Sequence, residues 1–159
     1  MDSSIVYINS QVDFKHGGYI MNNGTMTETA ILKAFGYTQT SHKAKFDGYT
    51  PDGRTVQVKS VNNGNYPSIS YKFFDENEPE NYELAKQNFC EGLDILILVK
   101  THTEQGQDSP VIDDYKVFEN AEILPVINRL AKPMYQGKKA CNPKPQMRLM
   151  LSKKVWATL

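Results

Sequence analysis

The sequence holds only two cysteines, Cys90 and Cys141, in 159 residues. They are too few and too far apart for a disulfide framework or a zinc ribbon, and they fit a reducing compartment. The three histidines, His16, His42 and His102, lack zinc-ligand spacing. No stretch approaches the roughly 20 apolar residues that a membrane-spanning helix needs. The opening MDSSIVYINSQVDF has an acid at position 2 and no long apolar run, which is not a signal-peptide pattern. The expected location is cytoplasmic. Internal repeats, low-complexity tracts and linkers are also absent.

Net charge is missing too, with 18 basic and 18 acidic residues. The distribution qualifies that neutrality. From residue 123 to 159 there are eight basic residues (Arg129, Lys132, Lys138, Lys139, Lys144, Arg148, Lys153, Lys154) and no acid. Residues 75–122 carry thirteen carboxylates against three lysines. A neutral total can therefore hide a basic segment able to meet phosphates, or one that packs on the acidic segment in cis. Both readings stay open on sequence alone.

What is present is an ordinary globular composition, 40% apolar and 23% charged. The length suits one domain spanning 1–159, with a core at about 25–100 and the basic segment 123–159 as a candidate DNA-contacting region. Ile5 to Ile8 reads as a short strand, followed by irregular Gly/Asn-rich chain. A helix is expected from Thr25, with Met26, Ala30, Ile31, Ala34 and Phe35 as its apolar stripe and Gly36 as terminator. Thr25-x-x-Glu28 has the form of a capping box, which gives Glu28 a purely structural reason to be there. Further elements are a short strand at Ser68 to Phe74, a helix from about Pro79 to Cys90 and a buried strand in DILILVK (94–100). A strand at Val111 to Phe118, a helix at Asn120 to Ala131 and a last strand at Met147 to Leu151 follow. Together they predict a mixed α/β fold, a central sheet flanked by helices.

Between the first helix and DILILVK lie two alternating runs, 44–49 and 55–59, around Pro51-Asp52-Gly53. Pro presets the first turn position and Gly accepts the left-handed conformation, so a β-hairpin with a three-residue loop is expected. With Thr50 opposite Arg54, the ladder counts back to pair Asp47 with Gln57, Phe46 with Val58 and Lys45 with Lys59. Opposed residues share a face. Asp47, Gln57 and Lys59 then project together from the polar side, over an apolar underside of Phe46, Val56 and Val58. Asp52 sits at the turn tip, away from that face. A carboxylate, an amide oxygen and an ammonium on rigid strands suit phosphodiester hydrolysis. Mg²⁺ takes oxygen ligands from carboxylates, water and phosphate. Asp47, Gln57 and the backbone carbonyl of Val58 are the candidate donors, and Lys59 would orient water or offset charge on the phosphate.

Lys45-Phe46-Asp47 followed by Gln57-Val58-Lys59 resembles the PD-(D/E)xK nucleases, a superfamily with a restriction-endonuclease-like fold. The likeness spans roughly Thr25 to Lys100. It implies that Asp47 and Gln57 bind metal, that Lys59 is the family lysine, and that Glu28 on the preceding helix joins them as a catalytic metal ligand. Phe46 stands where the family usually has Pro, and Gln57 where it has Asp or Glu. The resemblance implies a Mg²⁺-dependent, sequence-specific endonuclease for double-stranded DNA, of restriction or homing type, with Mn²⁺ expected to substitute. A Holliday-junction resolvase or repair nickase would use the same site, and an inactive DNA-binding module is the reading from another class. Double-strand cleavage by so small a chain implies a homodimer or homotetramer. Candidate DNA contacts are Asn62, Asn63, Asn65 and Tyr66 after the lysine strand, and Lys138, Lys139, Lys144 and Arg148 in the basic segment.

Overall fold

A computed structural model describes residues 3–12, 15–16, 19–20, 22–41, 43–135 and 144–159. In chain order the elements are α1 (Ser3–Ser10), β1 (Lys15–His16), β2 (Tyr19–Ile20), α2 (Asn23–Ala34), β3 (Thr38–Gln39), β4 (Gly48–Tyr49) and β5 (Thr55–Asn62). There follow α3 (Glu80–Cys90), β6 (Ile95–His102), β7 (Val111–Glu119), a 3₁₀ turn (Asn120–Glu122), α4 (Ile123–Leu130), β8 (Ala131–Met134), β9 (Gln146–Leu149) and α5 (Lys153–Trp156). The fold is mixed α/β. Among the described residues no helix is long and apolar enough to cross a membrane. The chain groups into two compact units, Met1–Asn65 with Leu93–Asn120, and Tyr66–Gly92 with Ala121–Leu159.

The first unit contains the five-stranded sheet, in the order β3-β4-β5-β6-β7. β5 and β6 run parallel, and the other neighbouring pairs are antiparallel. β6 is the central strand that DILILVK predicts, with Ile95 to Val99 buried on both faces. Val56 and Val58 stand opposite Ile95 and Ile97. These four join Val99, Ile112, Ala30, Ile31, Leu32, Ile5 and Ile8 in one apolar cluster. Full burial of an Ile or Leu side chain contributes about 1.5–3 kcal/mol, so this cluster dominates the cohesion of the unit.

The N-terminal segment corrects the expected strand at Ile5 to Ile8. It is a helix, because Ile5 and Ile8 are three residues apart and both buried, a spacing that places them on one helical face. Asn9 ties α1 to β7, donating to the Ile112 carbonyl at 2.9 Å and accepting from the Ile112 N–H at 2.8 Å.

α2 also starts earlier than expected. Asn22 is the N-cap, its side chain accepting from the Thr25 N–H at 2.8 Å. Thr25 therefore lies inside the helix, and the capping box that would explain Glu28 does not form. The other end follows the sequence signal. Gly36 has φ of +74°, its N–H bonds to the Lys33 carbonyl, and the Tyr37 N–H reaches Leu32 at 2.8 Å. This paired closure is a Schellman motif, which the left-handed glycine permits.

In the second unit, α4 buries Ile123, Val126, Ile127 and Leu130 along one face and packs with α3 and β9. Pro125 occupies its first turn, where no N–H is needed. The expected strand at Ser68 to Phe74 is not regular. Ser68 makes one isolated bridge to Arg148, and only the Ile69 and Phe74 N–H groups reach carbonyls of the β9 segment. The last strand begins at Gln146 and pairs with β8, an element with no clear sequence signal.

Candidate active site

The hairpin turn forms as counted. The Thr50 N–H donates to the Arg54 carbonyl at 2.9 Å, and Gly53 closes the turn with φ of +87°. Asp52 is exposed there, bonded to Thr50 and Arg54. It belongs to the turn.

The ladder is shorter than the alternation suggests. β4 contributes only Gly48 and Tyr49, opposite Val56 and Thr55. The expected pairs Asp47–Gln57, Phe46–Val58 and Lys45–Lys59 do not form. Instead the chain turns toward β3. Thr40 takes the Asp47 carbonyl with its N–H at 2.9 Å and the Phe46 carbonyl with its hydroxyl. Phe46 is consequently half-buried outside the main cluster, with the Lys45 ammonium 5.3 Å from its ring centroid. The apolar underside is Val56 and Val58 alone.

Asp47 nevertheless arrives at the site by another route. Its N–H donates to the Val56 carbonyl at 3.0 Å, and its Oδ2 accepts from the Val58 N–H at 2.8 Å. The carboxylate thus stands in for the missing ladder partner beyond the end of β4. Gln57 and Lys59 are half-buried at alternate positions of β5, opposite Leu96 and Leu98 and on the face away from Val56 and Val58.

Glu28, from the first half of α2, meets Asp47 and Lys59. Burial pushes Glu28 up to about 7, aided by the Asp47 charge and opposed by Gln39 and Lys59. Burial also raises Asp47, against the pull of the Val58 N–H and the Lys59 ammonium. The two carboxyls lie within interaction range of one another. Two carboxyls this close do not both ionise readily. Lys59 is lowered by burial and supported by both acids.

Sequence reasoning missed Gln39. Its amide nitrogen lies 2.9 Å from Thr29 Oγ1 and 3.5 Å from Glu28 Oε1. A two-residue strand carries no periodic signal, so nothing in the pattern marked it.

The donor set fits a hard divalent cation. Glu28 and Asp47 offer carboxylate oxygens, while Gln57 and the Val58 carbonyl offer neutral ones. Among the described residues no group of three or more His, Cys, Asp or Glu is placed to hold a metal ion, so any such cation would rest on two acids and neutral oxygens. A cation held by both carboxyls would relieve their mutual repulsion.

The other candidates separate. Asn62 Oδ1 accepts from Thr101 and Thr103, and the Asn63 side chain exchanges bonds with the Thr103 backbone, so both amides brace β5 against β6. Asn65 is exposed. In the second unit, the Arg148 guanidinium bonds to the Tyr66 carbonyl and to Gln146, a structural engagement, while Lys144 is exposed. His102 pairs with Asp113 at 2.8 Å. Lys138, Lys139, His42 and Cys141 lie outside the described residues. Compared with known proteins, the chain matches no family model and no curated sequence.

Proposed function

We propose that this protein is a Mg²⁺-dependent endonuclease that hydrolyses phosphodiester bonds of double-stranded DNA. The observation that carries this reading is the meeting of Glu28, Asp47 and Lys59 where β4 ends, with Gln57 two residues before Lys59 on the same strand. Two carboxylates and a lysine, partly withdrawn from water, suit a reaction at a phosphate. Structural ion-pair networks also perturb acids, but here a carboxyl of about 7 lies beside a second carboxyl and a half-buried lysine.

Glu28 and Asp47 would hold the cation, with Gln57 and the Val58 carbonyl as neutral donors. Bound Mg²⁺ would supply charge neutralisation at the phosphate and a more acidic water. Asp47 is prepared for its part, because the Val58 N–H fixes one carboxylate oxygen. Lys59 would present its ammonium to a phosphate oxygen or orient the attacking water. Its lowered pKa keeps proton exchange within easier reach than for a solvated lysine.

One such centre cuts one strand, so double-strand cleavage calls for a homodimer or homotetramer on a two-fold related target. Restriction or homing cleavage is the form favoured here. The test is incubation of the full chain with phage DNA, plasmid and a four-way junction in Mg²⁺, followed by sequencing of the ends. Discrete fragments, lost in Asp47→Ala and Lys59→Ala proteins that still fold, support the proposal. Cleavage confined to the junction points to a resolvase. Absence of cleavage on every substrate, with Mn²⁺ as well, leaves a DNA-binding module.

A further inference from the structure

We propose that Gln39 is a positioning residue for this site, holding the Glu28 carboxyl where it meets Asp47 and a divalent cation. The inference rests on the metal-dependent reading above. Gln39 is held at both its backbone and its side chain. β3 places it opposite Gly48, the residue after Asp47, and the following Thr40 bonds to the Asp47 carbonyl. Its side chain crosses to α2, where its Nε2 meets two consecutive residues, Thr29 Oγ1 at 2.9 Å and Glu28 Oε1 at 3.5 Å. A primary amide nitrogen has two hydrogens, so both contacts can be donated at once.

Thr29 is the anchor, as the shorter bond, and it keeps the exposed amide nitrogen within reach of Glu28. The strand fastened to the Asp47 segment therefore also fixes the acid on the helix. Without that bracket, the partly buried Glu28 side chain would lose one of the contacts that limit its rotamer freedom. A hydrogen donated to one carboxylate oxygen leaves the remaining lone pairs for a cation. Partners of this kind orient metal-binding carboxylates and tune their affinity.

The test is Mn²⁺ binding to the full chain without DNA, measured by calorimetry for wild type, Gln39→Ala, Glu28→Ala and the double variant. Gln39→Ala is expected to weaken Mn²⁺ about tenfold, the low end for such partners, with little change in the unfolding midpoint in chelator. In the Glu28→Ala background the same substitution should have no further effect, because Gln39 acts through Glu28. Thr29→Val should reproduce part of the loss by freeing the anchor. Unchanged Mn²⁺ affinity in Gln39→Ala, or an equal loss in the Glu28→Ala background, overturns this inference alone. A wild-type chain that takes up no Mn²⁺ overturns it together with the metal-dependent reading.

Discussion

The Asp47 carboxylate accepts the Val58 N–H at 2.8 Å just past the end of the β4 ladder. One side chain thereby closes a strand edge and faces the candidate site. Its two roles are separable by substitution. Asp47→Asn keeps an oxygen acceptor for Val58 and removes the charge. Asp47→Ala removes both, leaving a half-buried donor unpaired, which costs about 1–3 kcal/mol. Both variants should lose Mg²⁺-dependent cleavage, while only Asp47→Ala shows a clearly lower unfolding midpoint. An alanine variant as stable as wild type would deny the structural role.

Lys59→Met retains an apolar stem of similar length and removes the ammonium. It should abolish cleavage with the fold intact. It should also raise Glu28 further, since Lys59 is one of the groups holding that acid down. Carboxyl NMR titration reads the second effect, and an unmoved Glu28 resonance would sever the link between them.

Glu28 has an ordinary value of 4.5 and a folded value of about 7. Without metal, the folded protein then holds this proton more tightly than the unfolded chain does. Stability contributed by Glu28 is full below about 4.5 and falls as pH rises to about 7, flattening above it. Asp47, also raised, adds a decline of the same sign. His102 is raised by its bond to Asp113 and acts in the same direction, so the comparison with Glu28→Gln isolates Glu28. Urea unfolding in chelator from pH 5 to 8 should show a shallower decline in Glu28→Gln. Added Mg²⁺ should stabilise wild type more at pH 8 than at pH 5.

Gly48 permits the close approach of β4 to its neighbours. A Cβ there would lie 2.7 Å from the Thr38 carbonyl oxygen and 2.9 Å from Leu32 Cδ2. The first contact is backbone and cannot swing aside. Gly48→Ala should therefore cost about 1–3 kcal/mol and disturb Asp47 beside it. Equilibrium unfolding together with Mn²⁺ affinity checks both effects.

The start of α2 offers a direct comparison. Asn22→Ala should destabilise by about 1 kcal/mol through loss of the cap, whereas Thr25→Ala should change stability by less than half of that. The reverse order would restore the capping box and the structural explanation of Glu28.

Much of the frame was legible in local pattern. Five consecutive apolar residues mark β6 as a central strand, Gly36 marks the end of α2, and Pro51-Asp52-Gly53 fixes a turn with Thr50 opposite Arg54. These depend on side-chain period and on the backbone freedom of single residues. α1 was misread because one pair of apolar residues within a short segment fits a strand as readily as a helix. Only burial against the sheet decides between them.

The sequence by itself marked Asp47, Gln57 and Lys59 as a candidate group, and it put Gln57 and Lys59 on one side of β5. How Asp47 joins them was decided by tertiary structure. Thr40 engages the Phe46 and Asp47 carbonyls, and the Val58 N–H takes the Asp47 carboxylate in place of a ladder partner. Tertiary structure likewise moved the cap of α2 to Asn22 and brought Glu28 against Asp47. Bonds between residues far apart in sequence leave no period to read, and the bracket through Gln39 is one of them.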